Sequence, residues 1–255
     1  LREAISERYA MPRERIFCSN GSDELLSLLF RTFTDQGDPV TFTWPTYSLY
    51  PVLAEAQGVV IRYAETDAAF RIPFAGLPAS GGRLLLITNP NAPTGILEPL
   101  AALEACVRDF PGVVVVDEAY IDFADNREAA TALSLIGKYD NLLVARTFSK
   151  SFALCGIRAG YCFGNPDLIA ALVLAKDSYN LDMLAQAAAA AAMRDYGWME
   201  ANAARVRTTR ERAALRLIRF EHLTDDALRD TAYDAFQFVL VDIHGSFTSS
   251  SRSPF

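Results

Sequence analysis

The chain has 255 residues, 51% of them hydrophobic, with a formal net charge of -7 at pH 7. That is enough apolar material to bury a substantial core, as one large domain or one domain plus part of another. The acidic balance, with no basic stretch interleaved with aromatics, argues against nucleic acid as a partner and favours small-molecule chemistry.

Cys18, Cys106, Cys155 and Cys162 form no CxxC pair and have no histidine at metal-ligand spacing. Neither a metal site nor a disulfide framework is expected, and a reducing cytoplasm is the simplest setting. The Ala-rich run over 186–192 is too short and too weakly apolar to span a bilayer, so no membrane partner is expected either. The chain opens at Leu1 already in a helical pattern and closes on the Ser-rich HGSFTSSSRSPF, which together predict a fragment truncated at both ends with a disordered tail over 244–255.

Taken in chain order, strands are predicted over 40–44 (VTFTW), 59–64 (VVIRYA), 83–88 (RLLLIT), 112–117 (GVVVVD), 142–147 (LLVART), 160–164 (GYCFG) and 236–243 (FQFVLVDI). Amphipathic helical stretches lie between them, as at 22–33 and 98–110, and from about Pro166 the pattern turns almost wholly helical. Near-continuous apolar strands separated by helices imply an α/β architecture, a mostly parallel sheet covered on both faces.

In such sheets ligands gather at the carboxyl ends of the strands. Of the 24 basic residues only Lys138, Lys150 and Lys176 are lysines. Lys150 sits in TFSKSFALCGIRAGY with no other charge before Arg158. Lysine, unlike arginine, has a primary amine that can lose its proton and condense with a carbonyl.

Asp117 ends a fully apolar strand, where a half-buried carboxylate usually holds a cationic or protonated partner. SNGSDE (19–24) puts Gly21 and Ser22 before an amphipathic helix, an arrangement that serves both as an ordinary N-cap and as a phosphate cradle. Tyr47, just past the first predicted strand, offers a flat ring for core packing or for stacking on an aromatic ligand. A phosphate cradle, a stacking ring, a buried carboxylate and a lone amine followed by an arginine together describe a site for pyridoxal 5'-phosphate.

The order NGSDE, PTYSLY, NPNAPTG, DEAY, TFSK, GIRAGY resembles the fold-type-I, class-II pyridoxal-phosphate-dependent aminotransferases, and within them the histidinol-phosphate aminotransferase family, over about residues 1 to 243. The resemblance implies a three-layer large domain over 1–175 with its N-terminal part missing and a helical connector over 176–220. It further implies the start of a smaller α+β C-terminal domain over 221–243, and a homodimer in the full-length protein.

It also implies site roles, residue by residue. Lys150 would carry the Schiff base and move the proton between substrate and cofactor, and Asp117 would pair with the pyridine nitrogen. Tyr120 would donate to the ring's phenolic oxygen and Tyr47 would stack on the ring. Ser22, Asp23, Thr147, Ser149 and Arg158 would hold the phosphate, and Tyr179 and Asn180 would touch the substrate. The implied reaction is transamination between L-histidinol phosphate and 2-oxoglutarate, giving imidazole acetol phosphate and L-glutamate.

Two departures stand out. The family often has an asparagine directly before Pro-Thr-Gly, where this chain has Ala92, with Asn91 one step earlier as the candidate for the ring oxygen. The family's outlying substrate-binding segments are not recognisable, which leaves a decarboxylating lyase on the same scaffold and an inactive fragment as rivals. A nucleotide-binding module would need a GxGxxG or P-loop after an early strand, and neither occurs. His222 and His244 lie outside every motif, so Lys150 is the available proton carrier.

Overall fold

Seven strands form one sheet in the computed structural model, which describes residues 1–220. They are β1 (Ile16–Ser19), β2 (Pro39–Trp44), β3 (Val60–Glu65), β4 (Leu84–Thr88), β5 (Val113–Asp117), β6 (Leu142–Thr147) and β7 (Gly160–Gly164). The helices are α1 (Arg2–Tyr9), α2 (Gly21–Phe33), α3 (Leu49–Gln57), α4 (Leu77–Ser80), α5 (Leu100–Asp109), α6 (Arg127–Ala130), α7 (Pro166–Ala175), α8 (Met183–Arg194) and α9 (Tyr196–Phe220). The predicted strand over 236–243, the small domain over 221–243 and the tail over 244–255 lie outside the described residues.

The strand order is β1-β7-β6-β5-β4-β2-β3. Strands β2 to β6 pair in parallel, while β7 runs antiparallel to both β6 and β1. Every residue of β4 is buried because helices cover both faces, which is why its sequence is apolar without alternation.

Alternate residues supply the two interiors. Leu84, Leu86, Val115 and Leu143 meet Leu25 and Leu29 of α2, Tyr50 and Ala54 of α3 and Leu172 of α7. Leu85, Ile87, Val114 and Val116 meet Leu103, Cys106 and Val107 of α5 on the opposite face. A further cluster sets Ile16, Phe148, Tyr161 and Phe163 against Ile5 of α1, Ala185 and Ala189 of α8 and Met199 of α9.

Residues 1–203 form one compact unit, so α8 and the first turns of α9 belong with the sheet. The connector expected from residue 176 thus divides. Its first part packs into the core because α8 presents Ala185, Ala189 and Met193 as a buried face, and α8 starts at the Asp182 cap, whose side chain accepts from the Ala185 amide at 2.8 Å. In the second unit, Thr208 and Thr209 donate back to the carbonyls of Ala204 and Arg205 along the same helix. No helix among the described residues is long and apolar enough to cross a membrane.

Candidate active site

The site is built at one level of the sheet. Gly160 at the start of β7 pairs with Ser19 at the end of β1 and with Thr147 at the end of β6. The β1–α2 corner therefore lies beside the β6 exit. Two glycines permit that closeness: a Cβ on Gly160 would sit 2.6 Å from the Gly21 carbonyl carbon, and one on Gly21 would sit 2.6 Å from Arg158 Nη2.

Arg158 Nη2 donates to Asp23 Oδ2 at 3.1 Å, and Nη1 donates to the Cys155 carbonyl at 3.1 Å and toward Ser149 Oγ at 3.5 Å. The Ser149 amide donates to Thr147 Oγ1 at 3.1 Å, which sets the turn leaving β6. Asp23 and Arg158 stay about half exposed, at 46% and 44%. First-turn amides of α2, two hydroxyls and a guanidinium converge here, the chemistry of an anion cradle.

Asp117, at the end of β5, is 3% exposed. Its Oδ2 accepts from the Tyr50 hydroxyl at 2.9 Å and its Oδ1 from the Ala119 amide at 3.1 Å. Burial pushes this carboxyl above its ordinary value, and the two donors pull it partly back. Among the described residues no cation pairs with it.

Lys150 lies just past β6, in the turn that the Ala153 amide closes onto its carbonyl at 2.9 Å. Its Nζ stands 5.1 Å from the centroid of the Tyr120 ring. Among the described residues no carboxylate pairs with it, whereas Lys138 is held by Glu104 and Lys176 donates to the Asp177 carbonyl at 3.0 Å. Tyr47 donates to Asp23 Oδ1 at 3.3 Å, and burial together with that carboxylate pushes its phenol up to about 12.

The other expected positions are less gathered. Both amide protons of Asn91 are committed, to the Pro45 carbonyl at 3.1 Å and to Thr94 Oγ1 at 3.0 Å. Ala92 has no side-chain donor. Asn180 donates to the Cys18 carbonyl at 3.1 Å and to Glu24 at 3.2 Å, which ties the segment before α8 to the β1–α2 corner. Tyr179 stands 97% exposed.

Two elements were not singled out in the sequence. One is Tyr50, three residues after Tyr47, whose hydroxyl reaches Asp117. The other is the ion pair of Arg146 and Glu118, with Arg146 Nη2 2.7 Å from Glu118 Oε2; Glu118 directly follows Asp117 and Arg146 comes four residues before Lys150. Burial pushes the Glu118 carboxyl up, and Arg146, the Ala132 amide and the Thr131 hydroxyl pull it back. A charged residue inside each of two apolar strand ends, DE and ART, was the available signal. No group of three or more histidine, cysteine or acidic side chains able to hold a metal occurs among the described residues.

The chain is similar to known proteins. The histidinol-phosphate aminotransferase of Geotalea daltonii is 41% identical over 211 residues, 82% of this chain and 59% of its own length. Histidinol-phosphate aminotransferase 2 of Rhizobium meliloti is 44% identical over 214 residues, 82% of this chain and 60% of its own. The chain thus spans about three fifths of the length of these curated relatives. The crystal structure of histidinol-phosphate aminotransferase from Sinorhizobium meliloti in complex with pyridoxal-5'-phosphate superposes with a TM-score of 0.79 at 24% identity, covering 85% of this chain and 61% of that one. The family model for aminotransferase class I and II matches residues 1–228, and the chain belongs to that family.

Proposed function

We propose that this chain is the cofactor-binding part of a pyridoxal 5'-phosphate-dependent aminotransferase that exchanges amino groups between histidinol phosphate and 2-oxoglutarate. The observation that carries the reading is Asp117, a buried carboxylate with only neutral donors, at the end of the sheet where β5 and β6 finish and where Lys150 and the Arg158 cradle also lie. Such a carboxylate is completed by a cationic N–H, which a protonated pyridine provides. The cradle suits a phosphate, since the glycine positions leave backbone amides and the guanidinium bare of Cβ atoms. Histidinol phosphate follows the names carried by the relatives described above, and 2-oxoglutarate follows the motif resemblance.

When bound, pyridoxal phosphate supplies an aldehyde that takes up the amino group and a ring that draws electrons from the bond being broken. The chain's own residues do the rest. The backbone amides of Ser22 and Asp23 at the head of α2, with Thr147, Ser149 and Arg158, would bind the phosphate. Arg158 is held ready by Asp23 and acts as a fork on phosphate oxygens. Tyr47 would lie against the ring and Asp117 would hold the proton on its nitrogen. Tyr120 would serve the phenolic oxygen, Asn91 shapes its loop, and Tyr179 and Asn180 would border the substrate side. Lys150 Nζ takes and returns the proton at the substrate Cα, the task of a positioned general base.

In the full-length protein this part works as a cytoplasmic homodimer. Leu174, Tyr179, Met183 and Leu184 support the dimer, being apolar side chains left more than four-fifths exposed within one short segment.

The deciding experiment is a near-visible absorption scan of the chain mixed with pyridoxal phosphate, together with Lys150→Ala. The wild-type chain develops a band that the variant lacks. A variant that kept the band would remove Lys150 from its role. Glutamate formation from 2-oxoglutarate with histidinol phosphate as donor, measured on the full-length protein, tests the substrate pair.

A further inference from the structure

Tyr50 is fully buried and belongs neither to the phosphate cradle nor to the stacking position. It stands at the start of α3, with its ring edge-on to Tyr47 at 5.8 Å and to Phe42 at 5.9 Å. Its hydroxyl lies 2.9 Å from Asp117 Oδ2 and 2.9 Å from Thr88 Oγ1. Thr88 and Asp117 are themselves register partners across β4 and β5.

A phenol has one proton to give. While Asp117 is a carboxylate that proton goes to Oδ2, so the Thr88 hydroxyl must donate to the Tyr50 oxygen. The bonds then run from Thr88 through Tyr50 to Asp117. Were Asp117 protonated, its own O–H would point at Tyr50 and the direction would reverse. A donor aimed at a buried carboxylate favours its charged form, against the burial that opposes it.

We propose that Tyr50 is a positioning residue of the cofactor site: its hydrogen bond to Oδ2 keeps Asp117 ionised and oriented, so that the proton between Asp117 and the cofactor's pyridine nitrogen rests on the nitrogen. The inference rests on the proposed function. Packing alone would be served equally by phenylalanine, because both neighbouring contacts are ring to ring.

The test loads the wild-type chain, Tyr50→Phe and Thr88→Val with pyridoxal phosphate carrying nitrogen-15 in the ring, and reads the ring resonance. In the wild-type chain it falls in the pyridinium range. In Tyr50→Phe it moves toward neutral pyridine, with cofactor affinity lowered roughly ten-fold or more, as the loss of one hydrogen bond to a charged group predicts. Thr88→Val moves it the same way by less, and carries the test alone should Tyr50→Phe fail to fold. A resonance unmoved in the variants that fold overturns the inference, even if affinity drops, because a purely structural role changes binding without moving the proton. A wild-type chain that takes up no cofactor overturns the proposed function instead, and this inference with it.

Discussion

Gly21 and Arg158 compete for the same space: a methyl group on Gly21 would lie 2.6 Å from Arg158 Nη2, the nitrogen that bonds Asp23. Gly21 also has φ at +75°, a conformation that side-chain-bearing residues adopt only under strain. Gly21→Ala is therefore expected to displace the guanidinium from the cradle and to destabilise the chain by about 1–3 kcal/mol. Thermal denaturation measures the second effect. Titration with pyridoxal phosphate measures the first, as affinity weakened at least ten-fold.

Asp117 makes cofactor-free stability depend on pH. Its native value is raised by burial above the ordinary 3.8, so the folded chain holds this proton longer than the unfolded chain does. The stabilisation is complete below the ordinary value and is lost as pH rises through the raised one. Asp117→Asn has no such proton to lose. Without cofactor, its stability relative to the wild-type chain should climb between the acid range and neutrality while its affinity for pyridoxal phosphate falls. Urea midpoints at several pH values check the slope, and a flat difference would remove Asp117 from the account.

Arg146 and Glu118 are buried together, with 4% and 0% of their side chains exposed. Arg146→Met leaves the Glu118 carboxylate without its cation, a loss expected to cost about 3–5 kcal/mol. Adding Glu118→Leu removes the stranded charge and should restore much of that stability. Denaturant unfolding of the single and double variants measures the recovery. A single variant as stable as wild type would show that Thr131 and the Ala132 amide suffice for the carboxylate.

The central strands were legible because they are buried on both faces, which writes LLLIT and VVVV into the chain without alternation. Strand β1 was not, because Ile16–Ser19 is only four residues long and ends in Cys18 and Ser19. It exists because the free edge of β7 offers it a partner, a long-range fact absent from its own letters. Lys150, Asp117 and Arg158 stood out as charges in apolar surroundings. Tyr50 did not, since a tyrosine at the start of an apolar helix reads as core, and it is core as well as a donor. The bonding of Asn91 was equally hidden, because the carbonyl that claims its amide belongs to Pro45, 46 residues earlier.

The level that joins Ser19, Gly160 and Thr147 has a kinetic consequence. A pocket assembled from both ends of the unit's sequence cannot exist in an intermediate that has paired only β2 to β5. Contacts of such wide sequence separation carry the largest loop-closure cost and set the pace of folding. The phosphate cradle becomes whole only when β7 slots between β1 and β6, after residue 164 has left the ribosome. The cradle therefore requires β1, β6 and β7 to have come together.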